Sequence, residues 1–250
     1  MEFPFQFELF EQKFYLHFIF ETLAFIVGIR VYYFLRRKSS DSISDVNRLW
    51  ILLGAMVGAL LGSRIIASFE VTDIYSQFSW LKFYGNKTVL GGFLGGIICV
   101  ELTKKIIRER QSSGDLYVIP ILIALIIGRM GCFSMGIAEP TYGIETQFFT
   151  GMNLGDGKLR HPIMLYEMGF CFALLLLHPK IKKLNNLQNG DVFKLFILLY
   201  FSFRFCMEFL KPFYPVFLGL GIIHWCGIFI WFYYFPFLKR ILNFKSLYIK

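Results

Sequence analysis

The sequence predicts an all-α polytopic membrane protein with seven transmembrane helices, the N-terminus outside and the C-terminus in the cytoplasm. Apolar residues make up 56% of the 250 positions and the mean hydropathy is +0.56, an apolar content above that of ordinary soluble domains. Apolar stretches of about 20 residues, the length that crosses a bilayer, recur along the chain. Basic residues cluster in every second interval between these stretches.

Seven apolar stretches are the predicted spans. They cover residues 14–35, 49–69, 88–107, 115–136, 162–178, 192–210 and 217–238. No interval between them is long enough for a soluble domain, so residues 1–250 are predicted to form a single membrane domain. Residues 1–13 alternate apolar and polar side chains and lack the basic segment of a signal peptide. We therefore expect an outer arm that lies on the membrane surface.

The distribution of lysine and arginine predicts the orientation. After spans one, three, five and seven come Arg36, Arg37, Lys38 and Arg48; Lys104, Lys105, Arg108 and Arg110; Lys180, Lys182 and Lys183; and Lys239, Arg240, Lys245 and Lys250. The other side has fewer: Lys13, Lys82, Lys87, Lys158, Arg160 and Lys211. Cytoplasmic loops carry the basic excess, which places the N-terminus outside. The net charge of +9 then belongs to membrane flanks, and no nucleic acid is expected as a partner.

The charged residues inside the predicted spans include Arg64, Arg129, Arg204 and Glu208. A charge at the bilayer centre costs about 2.5 kcal/mol or more, so we expect these residues to line a polar site. At about 1.5 Å per helical residue, they lie about 18–24 Å from the inner ends of their helices. The excess of arginine favours an anionic or phosphate-bearing ligand. Packing roles remain open: Arg204 and Glu208 can pair along one helix face, and Arg129 can snorkel to the interface.

Further small and polar residues reach the same depth. Gly91 and Gly92 begin span three, in a spacing that also suits close helix packing. His161, Tyr166 and Glu167 lie where span five begins. The polar, glycine-rich residues 137–161 are predicted to form an outer loop that caps the site. The cysteines lack metal spacing, no soluble-enzyme motif is present, and no metal or cofactor is expected.

Four motifs, in order, resemble the prolipoprotein diacylglyceryl transferase family. They are VLGGFLGG, GRMGCF, RHPIMLYE and FRFCMEFLKP, and the similarity runs from span two to span seven. The resemblance implies seven spans in the bacterial plasma membrane. It also implies transfer of a diacylglyceryl group from phosphatidylglycerol, a membrane lipid, to the lipobox cysteine of a prolipoprotein signal peptide.

The resemblance also implies roles for individual residues. Arg129 and Arg204 would hold the lipid's phosphate and glycerol, and Glu208 would orient Arg204. The predicted catalytic residues are Arg204, Glu208 and His161. The predicted substrate-binding residues are Arg129, Arg64, Gly91, Gly92, Tyr166 and Glu167.

The chain departs from the family pattern at four polar positions, which marks a divergent member. Leu90 stands where the family usually has histidine, and Cys132, Met135 and Ile137 replace Asn, Asn and Glu. The base that takes the thiol proton is left open among Glu139, His161 and Glu208. Two alternative functions also remain: an enzyme of the same fold acting on another lipid head group or acceptor, and a non-catalytic lipid-binding or transport protein.

Overall fold

The computed structural model describes residues 3–9, 12–39, 41–70, 80–184 and 187–247, and these residues are mostly helical. The helices are α1 (Leu16–Lys38), α2 (Asp45–Ser68), α3 (Trp80–Gly85), α4 (Val89–Ile106), α5 (Val118–Met135), α6 (Ile163–Lys182), α7 (Asp191–Glu208), α8 (Ile222–Tyr233) and α9 (Phe235–Leu247). Two short antiparallel pairs, absent from the all-α prediction, join β1 (Gln6–Leu9) to β2 (Gln12–Tyr15) and β3 (Met152–Asn153) to β4 (Leu159–Arg160).

Four helical segments in the described part of the chain are long and apolar enough to cross a membrane. They are Leu16–Lys38, Asp45–Ser68, Asp115–Ala138 and Ile163–Lys182; α8 with α9, bent by 53°, makes a fifth if the bent pair is one span. Predicted spans three and six are present as α4 and α7. Each carries more charge than a purely apolar span: Glu101, Lys104 and Lys105 in α4, and Asp191, Lys194, Arg204 and Glu208 in α7. The number seven and the orientation therefore stay predictions.

The long helices expose large apolar side chains. On α1, Phe18 is 70% exposed and Phe25 is 68% exposed; on α2, Met56 is 66% exposed. Soluble monomers rarely leave such contiguous apolar surface in water. These helices therefore present a lipid-facing surface, as a multi-pass membrane protein requires.

The chain divides into two compact units. Unit 1 comprises Met1–Ser40, Gly114–Phe196 and Phe209–Pro212, and unit 2 comprises Asp41–Ser113, Ile197–Glu208 and Phe213–Lys250. In unit 1, α5 packs against both α1 and α6. Gly131 permits the approach of α1, because a Cβ added there would lie 3.2 Å from the His17 carbonyl oxygen. The prediction of a single domain stays a prediction.

Glycines bring α2 and α4 together in unit 2. A Cβ added to Gly58 would lie 2.2 Å from the Gly95 carbonyl oxygen, and one added to Gly62 would lie 2.4 Å from the Gly91 carbonyl oxygen. Real Cβ atoms do not approach oxygen so closely, so glycine is required at these positions. The two helices therefore touch backbone to backbone, as the repeated glycine spacing predicts.

The N-terminal arm and the outer loop both pack on the end of α5. The Phe5 amide donates to the Ser134 carbonyl at 2.7 Å, and the rings of Phe3 and Phe133 pack edge to face. Leu154 of the loop is fully buried against Cys132 and Met164. The alternation at Gln6–Leu9 is thus the period of a short strand; the place of the arm on a membrane surface stays a prediction.

Candidate active site

In unit 1, Arg129 of α5 and Glu167 of α6 form a buried ion pair between two helices. Arg129 Nε lies 2.8 Å from Glu167 Oε1, and the residues are 6% and 0% exposed. A short charge-assisted bond of this kind offsets part of the cost of burying both charges. Arg129 therefore does not snorkel to an interface, and one edge of its guanidinium is held by Glu167.

Another edge of the Arg129 guanidinium faces a thiol. Nη1 donates to Cys132 Sγ at 3.5 Å, one turn along the same helix. The side chain of His17, from α1, lies next to Cys132 as well. The position where the family pattern has asparagine thus carries a small, soft residue between an arginine and a histidine.

His161 and Tyr166 lie together at the start of α6. His161 Nδ1 and the Tyr166 hydroxyl are hydrogen-bonded at 3.0 Å, and the same hydroxyl contacts Thr150 Oγ1 of the outer loop. The backbone of His161 accepts from the Gly143 amide and donates to the Ile144 carbonyl. Backbone and side chain are therefore both fixed, and the imidazole is linked to the loop through one tyrosine.

Ion pairs stiffen the outer loop around Arg160. The guanidinium of Arg160 contacts Asp156 at 2.8 Å and Glu145 at 3.6 Å, and Lys158 pairs with Glu145. Burial pushes the pKa of Asp156 upward, but hydrogen bonds from Arg160 and the Lys158 amide outweigh it and lower that pKa below its ordinary value. Asp156 consequently stays ionised, and its ion pair with Arg160 persists, to a lower pH than an ordinary aspartate would allow.

In unit 2, Arg204 and Glu208 form a pair along α7. Arg204 Nη2 lies 3.5 Å from Glu208 Oε2, as the spacing of four residues predicts, and the residues are 5% and 3% exposed. The contact is longer than that between Arg129 and Glu167, and both partners belong to one helix. The pair holds a second guanidinium in an apolar segment without linking two helices.

His224 lies within electrostatic reach of Glu208. Its ring is fully buried, with its centroid 5.0 Å from those of Phe205 and Phe213. Nδ1 accepts the Gly221 amide at 3.1 Å, which fixes the neutral tautomer with its proton on Nε2. His224 therefore belongs to the polar surroundings of Glu208.

The remaining predicted residues of unit 2 are Arg64, Gly91 and Gly92. Arg64 Nη1 donates to Ser63 Oγ at 2.7 Å, and its guanidinium carbon lies 6.0 Å from the Tyr84 ring centroid. Gly91 is buried in the α2–α4 contact, whereas a Cβ on Gly92 would keep ordinary distances from Ala59 and Ser63. Leu90, where the family pattern has histidine, is 1% exposed.

The predicted residues thus fall into two groups by unit. Unit 1 brings Arg129 to Glu167 and His161 to Tyr166; unit 2 brings Arg204 to Glu208 and contains Arg64, Gly91 and Gly92. In the part of the chain that the structure describes, no three His, Cys, Asp or Glu residues are grouped to hold a metal ion.

No role was predicted from the sequence for His17 or His224, but His17 lies next to Cys132 and His224 lies near Glu208. For His17 a signal existed, because Glu21 follows four residues later on the same helical face. For His224 the sequence offers none, since its neighbour Glu208 belongs to another helix.

Comparison with known proteins gives a consistent result. A family model described as prolipoprotein diacylglyceryl transferase matches residues 4–237. The Campylobacter hominis protein named phosphatidylglycerol–prolipoprotein diacylglyceryl transferase is 29% identical over 228 residues, covering 83% of this chain and 78% of the relative. Proteins of the same name from Campylobacter lari (29% over 235 residues; 87% and 83%) and Clostridium tetani (27% over 221 residues; 83% and 85%) are also similar.

Proposed function

The chain belongs to the prolipoprotein diacylglyceryl transferase family, and we propose that it transfers a diacylglyceryl group from phosphatidylglycerol to a cysteine thiol of a prolipoprotein. The observation that carries this proposal is the burial of Arg129 and Arg204, at 6% and 5% exposure, within apolar helices. Each has a carboxylate partner. A guanidinium kept in so apolar a setting favours a phosphate ligand.

The chemistry requires a nucleophile and a stabilised leaving group. The cysteine thiolate attacks the glycerol carbon that carries the phosphate, the carbon–oxygen bond breaks, and glycerol phosphate leaves with the electron pair. A guanidinium in a low-dielectric site stabilises this developing charge better than water does. A base must also accept the thiol proton, because the thiolate is the attacking form.

We assign roles accordingly. Arg129 and Arg204 bind the phosphate and glycerol of the lipid, and Glu208 orients Arg204. His161 and Tyr166, tied to the outer loop through Thr150, line the outer mouth together with Glu167. Arg64, Gly91 and Gly92 are proposed as further contacts to the lipid.

The proposal includes a topology. Seven spans, with the N-terminus outside and the C-terminus in the cytoplasm, follow from the basic residues of alternate loops. The protein would then act in the bacterial plasma membrane, where residues 137–161 cap the site from outside and the acceptor is a signal peptide with a lipobox cysteine.

Mass spectrometry of a lipobox peptide tests the function directly. The purified protein is reconstituted in vesicles that contain phosphatidylglycerol and incubated with the peptide. We expect a mass gain of one diacylglyceryl group on the cysteine. Two controls are matched: a peptide with serine in place of that cysteine, and vesicles of phosphatidylethanolamine alone.

An unmodified peptide in the presence of folded protein would refute the proposed reaction. The buried Leu90 and Cys132, at positions where the family pattern is polar, would then favour an enzyme of the same fold with another head group or acceptor. A lipid of changed mass in the same vesicles would identify that enzyme. If neither the lipid nor the peptide changes in mass, the remaining alternative is a non-catalytic lipid-binding or transport protein.

A further inference from the structure

The two ring nitrogens of His17, on α1, have different surroundings. Nε2 lies 3.8 Å from Glu21 Oε2, one turn further along the helix. Nδ1 is buried and has no hydrogen bond of normal geometry to any residue that the structure describes. A buried nitrogen without a hydrogen bond of normal geometry is rare in folded proteins, and the Cys132 thiol beside the imidazole is only a weak hydrogen-bonding group. This nitrogen is therefore a candidate to accept a proton from a ligand.

The surroundings of His17 belong to the site. The Cys132 thiol lies next to the imidazole, and the Glu139 carboxylate is close enough to interact with it. Arg129 Nη1 contacts the same thiol at 3.5 Å. The imidazole of His17 and the guanidinium that we assign to the phosphate therefore flank one side chain. A ligand phosphate on Arg129 would bring its reacting carbon near His17.

We propose that His17 is the general base that takes the proton of the acceptor cysteine. This inference rests on the proposed function. The thiol proton passes to Nδ1 of His17 as the sulfur attacks the glycerol carbon and the bond to the phosphate oxygen breaks. The imidazolium then releases the proton to water. Glu21 Oε2, 3.8 Å from Nε2, lies beyond hydrogen-bond distance, but its negative charge favours the proton on Nε2 and so leaves Nδ1 to accept.

The other nearby groups fit this task less well. Cys132 carries a thiol and could be considered as a nucleophile that receives the lipid first. A diacylglyceryl group on Cys132 would be a stable thioether, however, and could not be passed on. His161 already uses Nδ1 in its hydrogen bond with Tyr166. His17 thus supplies an imidazole in unit 1, while Leu90, at the usual histidine position, has a purely apolar side chain.

The test measures the transfer rate of His17 variants in phosphatidylglycerol vesicles with the lipobox peptide. We expect His17→Ala to lower kcat by about 10²–10⁴-fold, the usual share of a general base, with KM for the lipid unchanged. Added imidazole should restore part of the rate. His17→Asn, which keeps a polar group near the position of Nδ1 but cannot act as a base, should be equally slow.

His178 provides the matched control. It lies on α6 and lines a small apolar cavity together with Leu122 and Phe196. His178→Ala should keep the wild-type transfer rate, and added imidazole should not change that rate. A His17→Asn enzyme at the wild-type rate, or a slow His17→Ala enzyme that imidazole does not accelerate, would overturn the proposal. If His17→Ala does not fold, the transfer rate of His17→Asn alone tests the proposal. A wild-type protein without transfer would refute the proposed function itself.

Discussion

The two units keep a buried arginine and pack their helices by different means. In unit 1, the Arg129–Glu167 pair joins α5 to α6 at 2.8 Å. In unit 2, Arg204 and Glu208 lie on one helix at 3.5 Å, and the tight packing is supplied by glycines between α2 and α4. The ion pair of unit 1 therefore serves the fold as well as the site, whereas that of unit 2 makes no link between helices.

This difference separates the two roles that the sequence leaves open for Arg129 and Arg204, which are helix packing and ligand binding. The Arg129–Glu167 pair, which joins two helices, is already in short contact without a ligand. It therefore stabilises the packing of α5 on α6. A pair within one helix adds about 0.3–0.5 kcal/mol in exposed cases, and the 3.5 Å contact of Arg204 with Glu208 is longer than the 2.8 Å contact of Arg129 with Glu167. Substitutions at Arg129 should thus affect stability and activity together, and those at Arg204 mainly activity.

The largest effect on stability is expected from Arg129→Ala. Removing one partner of a buried pair leaves an uncompensated charge on Glu167 and costs about 3–5 kcal/mol. Transfer should also be lost. Thermal unfolding in detergent, followed alongside the peptide assay, measures both quantities on one preparation.

A double variant separates these two losses. Arg129→Met with Glu167→Leu replaces the pair by apolar side chains of similar volume, a change that is often neutral or stabilising. We expect this variant to regain the wild-type unfolding temperature and to remain inactive. A double variant that is stable and transfers lipid would show that Arg129 serves packing alone.

A smaller but still clear loss is expected from Gly95→Ala in unit 2. The new Cβ would lie 2.1 Å from the Gly58 carbonyl oxygen, so α2 and α4 must separate, and overpacking of this kind costs about 1–3 kcal/mol. Gly96→Ala is the matched control, because its Cβ would lie 3.7 Å from the Ala55 carbonyl oxygen. If both variants unfold at the same temperature, the glycine contact does not hold unit 2 together.

Helices and pairings within one helix could be predicted from the sequence, and contacts between helices could not. Apolar runs located all the long helices, and the four-residue spacing gave the pair of Arg204 with Glu208. The partner of Arg129 and the neighbour of His17 depend on how helices rotate against one another, which apolar periodicity does not fix. The alternating residues 1–13 predicted a surface arm but not the antiparallel pairing of Gln6–Leu9 with Gln12–Tyr15, since alternation alone does not identify a partner strand.

The smallest effect on stability is expected from Arg204→Lys, and it tests unit 2 most sharply. Lysine keeps the charge beside Glu208 but lacks the planar fork that binds phosphate through two parallel hydrogen bonds. The unfolding temperature should change little, while kcat falls by about 10²–10³-fold, the usual loss when one donor to a developing oxyanion is removed. Arg240→Lys, on α9 outside the proposed site, should leave both quantities unchanged. Because a lysine would serve a purely structural pair nearly as well as an arginine, an Arg204→Lys enzyme with the wild-type rate would assign Arg204 to packing and remove the contrast between the two units.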